Sequence, residues 1–168
     1  YLEQRIFEEG KYRAQEVRLL IHAYIALNKP MEVRRLETTL RENKPELADR
    51  FALSLGVPHL LSNDGGEISA YFDRARQRAP RRDRPWASWS YAFGLMLSEK
   101  TGDAKPILRN TAESARDPLL ELLTLYLLDA FREGDEEIAA FLDERLREYK
   151  NRNSREKIVR VLERERGE

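Results

Sequence analysis

Apolar residues recur along this chain every three to four positions, which is the spacing of one face of an α-helix. One such stripe holds Leu20, Ala23, Tyr24 and Leu27 and is stopped by the helix-breaking run at residues 28–30. No segment sustains the alternation of β-branched or aromatic residues with polar ones that indicates a β-strand. The pattern therefore predicts an all-α protein of about ten helices, joined mostly by connections of about two to six residues.

Several helix boundaries are marked by capping residues. Asp117 before Pro118 predicts an N-cap followed by proline at the first helical position, where the missing N–H costs nothing. Asp135 predicts the start of another helix in the same way. Asn153, with a glutamate three residues later, resembles a capping box, so we expect a terminal helix over residues 154–166.

The breaks between helix pairs recur at a regular interval. From Pro45 through Pro80 and Pro118 to Asn153 the spacings are 35, 38 and 35 residues. Within the pairs, apolar, small and turn-forming residues stand at repeating positions: Val17, Leu20, Ala23, Tyr24, Val33, Leu40, Leu55, Gly56, Phe72, Ala75, Gly94, Gly102, Asp103, Gly134, Asp135 and Ala139. In spacing and pattern the chain resembles the tetratricopeptide-repeat family, whose unit has about 34 residues.

This resemblance implies a right-handed superhelix of antiparallel helix pairs, a tetratricopeptide-like α-solenoid. It would form a single domain over residues 1–168, and residues 154–166 would cap its end. Pro58 and Pro106 depart from the pattern, because each falls inside a helix of the repeat. Another α-solenoid or an irregular helical bundle is the alternative.

The same resemblance implies a function, since the first helices of tetratricopeptide pairs typically line a concave groove that binds peptides or helices. These first helices would run over residues 12–27, 46–61, 86–100 and 118–132. The groove positions carried over to this chain are Arg18, His22, Arg50, Leu53, Val57, Tyr91, Leu95, Thr124 and Leu128. The family's clamp for C-terminal carboxylates uses Lys and Asn, which these positions lack. We therefore expect a protein-interaction scaffold for an extended peptide or an amphipathic helix with spaced apolar anchors.

Charge and composition narrow the function classes. The 30 basic and 30 acidic residues give a formal net charge of +0, which disfavours a dedicated nucleic-acid binder. The longest run without a charged residue, 14 residues from Pro85 to Ser98, is shorter than the about 20 that a membrane span needs. The absence of cysteine leaves the redox compartment undetermined. We slightly favour a cytoplasmic location and keep a periplasmic one as the alternative.

The densest charge cluster is Arg74–Arg84, which holds six arginines in eleven residues and precedes Trp86, Trp89 and Tyr91. Arginines beside aromatic residues can bind single-stranded nucleic acid through phosphate contacts and base stacking. The alternative function is therefore a nucleic-acid-binding or regulatory module that uses this stretch. An acidic protein surface, or a basic end of a helix with no ligand, agrees better with the neutral chain.

Signals for catalysis, metals and cofactors are weak. The two histidines, His22 and His59, are 37 positions apart and belong to no metal-ligand motif. Gly65-Gly66 lacks the following residues of a phosphate-binding loop and is better explained as the start of a helix. We therefore expect no enzymatic activity, no metal and no cofactor.

Two other segments lead to expectations. The helix Leu119–Leu128 is apolar nearly all round, which predicts burial on most sides or a partner or dimer contact on one of them. Tyr1–Phe7 starts with helical periodicity and no N-cap. Because a solenoid exposes an apolar face at an uncapped end, we expect the native gene to encode further residues before Tyr1.

Overall fold

A computed structural model describes residues 1–153. A π-helical turn at Gln4–Glu8 precedes the α-helices, which are Ala14–Ala26 (α1), Pro30–Asn43 (α2), Pro45–Arg50 (α3), Ala52–Leu55 (α4), Val57–Leu60 (α5), Gly65–Arg78 (α6), Arg84–Leu97 (α7), Thr101–Ser114 (α8), Pro118–Asp129 (α9) and Glu136–Asn153 (α10). Because these residues contain no strand, the all-α prediction is confirmed for the described part of the chain. No helix among them has the length and apolar character needed to cross a bilayer.

The helix starts predicted at Asp117 and Asp135 are confirmed, whereas Asn153, the predicted N-cap of the terminal helix, is the last described residue of α10. Helices α2, α3 and α9 begin at Pro30, Pro45 and Pro118, where the missing N–H leaves no bond unmade. An aspartate precedes each of α6, α9 and α10 and accepts a hydrogen bond from a backbone N–H of the first turn. The pairs are Asp64 with Glu67 at 3.0 Å, Asp117 with Leu119 at 2.9 Å and Asp135 with Ile138 at 3.0 Å. The predicted terminal helix, residues 154–166, lies outside the described residues.

The single helix predicted over residues 46–61 is instead three short helices, α3, α4 and α5. The first break is at Phe51, whose φ of −106° and ψ of 16° depart from helical values. The second precedes Pro58, which has no N–H to donate to the carbonyl four residues earlier. Sequence periodicity shows the proline break but not the break at Phe51.

The chain divides into two compact units, Tyr1–Ala104 and a second one that begins at Lys105. In the first unit, α1 and α2 form one core with residues of α3 and α4, including Val17, Leu36, Ala48 and Leu55. A second core joins Ala52 of α4 to residues of α6 and α7. The segment α3–α5 therefore contributes to both cores. A single domain over residues 1–168 stays a prediction.

Glycines let α6 and α7 pack with their backbones in close approach. A Cβ on Gly94 of α7 would lie 2.6 Å from the backbone nitrogen of Ser69 in α6. A Cβ on Gly65, at the start of α6, would lie 2.6 Å from the carbonyl oxygen of Gly94. Distances under 3.0 Å leave no room for a side chain, so these two positions fix the separation of the two helices.

The second unit packs α9 against α10. The buried face of α9 carries Leu120, Leu122, Leu125 and Leu128, while Leu119 is 48% and Tyr126 62% exposed. The unit also contains an ion pair between Lys105 and Asp135 at 2.5 Å. The apolar helix α9 is thus buried on one side and open to solvent on the other.

Candidate partner-binding surface

Helix α1 presents Arg18 and His22 on its exposed face. Its opposite face is buried through Val17, Leu20, Ile21 and Tyr24. Neither Arg18 nor His22 has a hydrogen-bond or ionic partner among residues 1–153, whereas the acidic residue of the helix, Glu16, is paired with Arg5 at 3.3 Å. Leu19 beside them is 49% exposed. The open face of α1 therefore combines a basic side chain and an imidazole with apolar surface.

Arg50, Leu53 and Val57 lie on the three short helices α3, α4 and α5. Arg50 is exposed, with its guanidinium 5.6 Å from the ring centroid of Phe51. Leu53 is half-buried and packs against the second core, and Val57 is half-buried at the start of α5. Their relative positions therefore depend on the helix breaks at Phe51 and before Pro58.

Tyr91 is a half-buried residue of α7 that packs against the second core. The guanidinium of Arg76 lies 4.5 Å from its ring centroid, and Asp73 holds that guanidinium through hydrogen bonds of 2.6 and 2.9 Å. One face of the Tyr91 ring is thus covered by a cation that is itself fixed. Leu95, one turn further along α7, is only 4% exposed.

The helices that carry these residues all belong to the first unit. Helix α1 packs against α4. Ala52 of α4 and Ala87 of α7 belong to the same core, against which Leu53 and Tyr91 also pack. Helix α1 thus contacts α4, and α4 and α7 share a core through their own residues, while Arg18, His22 and Arg50 are exposed.

Thr124 and Leu128, the predicted groove residues of the second unit, lie on the buried face of α9. Both are 0% exposed. The Thr124 hydroxyl donates a 2.6 Å hydrogen bond to the carbonyl of Leu120, within the same helix. Their side chains therefore support α9 from inside its unit.

A charged group that sequence reasoning did not find lies beside them. Glu121 is 2% exposed, and its Oε1 accepts hydrogen bonds from Arg145 at 3.1 Å and Arg152 at 2.6 Å. Arg145 also donates to the carbonyl of Ala112 at 2.8 Å. The Glu121 carboxylate thus joins α9 to α10, and Arg145 extends the link to α8. The two arginines lie 24 and 31 positions from Glu121, so no local pattern indicates it.

His59 is the centre of a second group that sequence reasoning missed. Its Nδ1 lies 2.6 Å from a carboxylate oxygen of Glu67, and its Nε2 lies 3.3 Å from one of Glu37. The imidazole also stacks on Tyr71, with ring centroids 4.2 Å apart. Arg34 binds the same Glu67 oxygen at 2.6 Å. These contacts connect α2, α5 and α6, and both ring nitrogens of His59 face carboxylates of the protein itself.

Two groups at this cluster have shifted pKa values. Burial opposes ionisation of Glu37, but hydrogen bonds from His59 and Arg41 outweigh it and lower the pKa of the carboxyl. Burial, reinforced by the charge of Glu37, raises the pKa of Tyr71, whose hydroxyl donates a 2.9 Å hydrogen bond to the carbonyl of Ala52. The cluster therefore favours a charged Glu37 and a neutral Tyr71, which suits a structural role.

The histidines also bear on metal binding. His22 is exposed on α1, whereas His59 is 13% exposed and in contact with two carboxylates. Among residues 1–153 no group of three or more histidine and acidic side chains has the arrangement needed to hold a metal ion. The described part of the chain thus has exposed basic side chains on the first unit and internal ion pairs in both units.

Comparison with known proteins gives a family. A family model described as an uncharacterised Treponema protein matches residues 32–168. A protein of Treponema pallidum (strain Nichols), described as an uncharacterized protein, is 28% identical over 128 residues, which cover 76% of this chain and 40% of that protein. The chain thus spans less than two thirds of the length of this relative. No solved structure matches the chain.

Proposed function

The chain belongs to the family described as an uncharacterised Treponema protein, and from this premise we propose that it is a protein-interaction scaffold that binds a peptide or a helix in a groove of its first unit. Its helix pairs would form a tetratricopeptide-like, right-handed superhelix. The surface would be lined by α1, α3–α5 and α7. The proposed function is binding without catalysis.

The observation that carries this proposal is that α1 packs against α4, and that α4 and α7 both contribute residues to the second core of the first unit. Their accessible side chains combine two chemistries. Arg18 and Arg50 offer exposed cations, and Leu53, Val57 and Tyr91 offer half-buried apolar surface. An amphipathic helix or an extended peptide with apolar anchors and flanking acidic residues complements this combination.

Packing inside the second predicted helix pair supports the repeat resemblance. A Cβ on Gly56 would lie 2.5 Å from the ring of Phe72, so the two residues are in close contact. Gly56 and Phe72 are both positions at which the chain follows the tetratricopeptide pattern. Their contact brings the segment α3–α5 and helix α6 together, as an antiparallel pair requires.

The test uses peptides selected from a random library, so the natural partner need not be identified first. Random peptides of about 12 residues displayed on phage are selected against the chain, and the affinity of the selected peptides is measured by fluorescence anisotropy. Tyr91→Ala and Arg50→Glu should each weaken binding about tenfold, because each removes a central contact. Helicity should stay nearly unchanged, and circular dichroism at the binding temperature checks that Tyr91→Ala, which loses contacts with the second core, is folded.

Two control variants accompany this test. Tyr91→Phe keeps the ring and should retain binding. Arg147→Glu reverses the charge of an exposed arginine of α10 in the second unit and should have no effect. Unchanged affinity in both Tyr91→Ala and Arg50→Glu would place the binding surface elsewhere and contradict the proposal.

A further inference from the structure

The connection between α6 and α7 is a short turn fixed by hydrogen bonds. The backbone N–H groups of Asp83 and Arg84 both donate to the carbonyl of Pro80, at 2.8 and 3.2 Å. The side chain of Arg84 donates to the carbonyl of Ala79 at 3.1 Å. Since α6 and α7 are also in close backbone contact, the turn presents its side chains on a rigid base.

The arginines of residues 74–84 divide into two groups. Arg76 is held by Asp73 and covers Tyr91, and Arg84 binds a carbonyl at the end of α6, so the fold itself uses both. Arg74, Arg78 and Arg81 are exposed and have no carboxylate or hydrogen-bond partner within residues 1–153.

Arg82 belongs with the exposed group. Its contact with Asp83 is 3.3 Å long, and its side chain is 82% exposed, so this ion pair is worth little. We call Arg74, Arg78, Arg81 and Arg82 the arginine turn.

Charge complementarity indicates what the arginine turn binds. The whole chain has net charge +0, yet residues 73–84 hold six arginines against Asp73 and Asp83. The two aspartates are already in contact with Arg76 and Arg82. The local excess of positive charge is therefore unbalanced, and guanidinium groups bind carboxylates or phosphates bidentately.

The neighbouring aromatic residues favour a protein over a nucleic acid. Single-stranded nucleic acid binds such sites by stacking bases on open aromatic rings. Tyr91 already has Arg76 over one face, and Trp89 stacks on Phe93 with ring centroids 5.5 Å apart. Trp86 meets Trp89 edge to face at 6.4 Å. These rings are engaged with the protein's own side chains, so carboxylates are the better match for the arginines.

We infer that the arginine turn is a docking site for an acidic segment of a partner protein, separate from the groove on α1, α3–α5 and α7. Carboxylates of the segment bind the guanidinium groups of Arg74, Arg78, Arg81 and Arg82. Because the backbone of α6 and of the turn is already ordered by hydrogen bonds, binding has only the arginine side chains to order on this surface.

The test uses three labelled probes of similar length at physiological salt. They are a peptide of about 12 residues alternating Glu and Ala, the same peptide with Gln in place of Glu, and an oligouridine of about 12 nucleotides. We expect fluorescence anisotropy to show saturable binding of the acidic peptide, with at least about tenfold weaker binding of the other two.

A triple variant, Arg74→Gln with Arg78→Gln and Arg81→Gln, should weaken binding of the acidic peptide at least about tenfold. The matched control is Arg13→Gln with Arg116→Gln and Arg147→Gln. It removes the same amount of positive charge at three other exposed arginines. It should change the affinity less than about twofold. All six positions are exposed, so both variants should fold, which circular dichroism checks.

Three outcomes would overturn the inference. If both triple variants lose affinity equally, the peptide responds to net charge and not to this site. If oligouridine binds more tightly than the acidic peptide and loses that binding in the first variant, the site is one for nucleic acid. If the acidic peptide does not bind at all, the arginine turn is a solvated surface. Each outcome leaves the groove test on Tyr91 and Arg50 unaffected, because the variants are different.

Discussion

The backbone nitrogen of Ser69 lies 2.6 Å from the point where a Cβ on Gly94 would stand. Gly94 lies inside α7, one turn before its end, where alanine is ordinarily favoured over glycine by about 1 kcal/mol. The absence of a side chain there is explained by contact with α6, because a backbone atom cannot move aside as a flexible side chain can.

Gly94→Ala should therefore destabilise the protein. The clash forces the helices apart and costs about 1–3 kcal/mol, which outweighs the gain in helix propensity. Gly102→Ala is the matched control, because Gly102 is also helical and has nothing within 4 Å of its Cβ position. Urea unfolding should show a lower free energy of unfolding for the first variant and an equal or higher one for the second. Equal stability of Gly94→Ala and the parent would show that α6 and α7 are not in close contact.

Acid should destabilise the first unit through Glu37. Its pKa is lowered in the folded state, so its contribution to stability is present above the unfolded value of about 4.3 and is lost as the pH falls through the folded value. Glu37→Gln should cost about 1–3 kcal/mol at pH 7, because Arg41 and His59 lose a charged partner. The variant should also lose less stability than the parent between neutral pH and about pH 3.5.

The control for this prediction is Glu42→Gln, at an exposed position of the same helix. It should leave both the stability and its pH dependence close to those of the parent. Chemical denaturation at the two pH values measures both quantities. An identical acid dependence in the parent and Glu37→Gln would contradict the prediction.

Alkaline pH should destabilise the same unit through buried tyrosines. Burial raises the pKa of Tyr71 and of Tyr24, whose hydroxyl also donates to Glu3 at 2.7 Å. The neutral phenols therefore contribute stability that is complete below the unfolded value of about 10 and is lost as the pH rises through the folded value. Tyr71→Phe should cost about 0.5–1.5 kcal/mol at pH 7 through the lost hydrogen bond to Ala52, and should lose less stability than the parent above pH 10.

Tyr126→Phe provides the comparison, since Tyr126 is 62% exposed. It should change neither the stability at pH 7 nor the alkaline loss. Ultraviolet titration of the phenolate absorbance gives a second measurement. Titration of Tyr71 near its ordinary value in the folded protein, with no unfolding, would show that its hydroxyl is open to solvent.

Local signals allowed much of the fold to be predicted. The breaks at Pro30 and Pro45 and the helix start at Asp117-Pro118 were predictable because proline acts through its own backbone, and because Asp117 caps its helix through a bond to a residue two positions away. Periodicity also gave the all-α class. Within residues 46–61, the break before Pro58 was predictable from the proline, but the break at Phe51 was not, since the backbone there follows no composition rule.

The sites depended on contacts that sequence patterns do not encode. Arg18 and His22 lie on the exposed face of α1 because the other face of that helix is apolar, which periodicity does predict. The position of His59 between Glu37 and Glu67 depends on residues 22 and 8 positions away on other helices. Such pairings follow from helix packing, so they emerge only with the tertiary structure.

Glu121 should be the charged residue on which the second unit depends most. Its carboxylate is 2% exposed and accepts hydrogen bonds from both Arg145 and Arg152. Glu121→Gln should cost about 1–3 kcal/mol, because the buried acceptor loses its charge, while Arg145 keeps its ion pair with Glu148 and Arg152 is open to solvent. Arg145 is 19% exposed and Arg152 is 52% exposed, so Arg145→Ala should destabilise more than Arg152→Ala. Glu144→Gln, at an exposed position of α10, should have little effect in the same thermal and urea unfolding measurements. Equal, small effects of all four substitutions would mean that the carboxylate of Glu121 reaches solvent and that apolar packing alone holds α9 to α10.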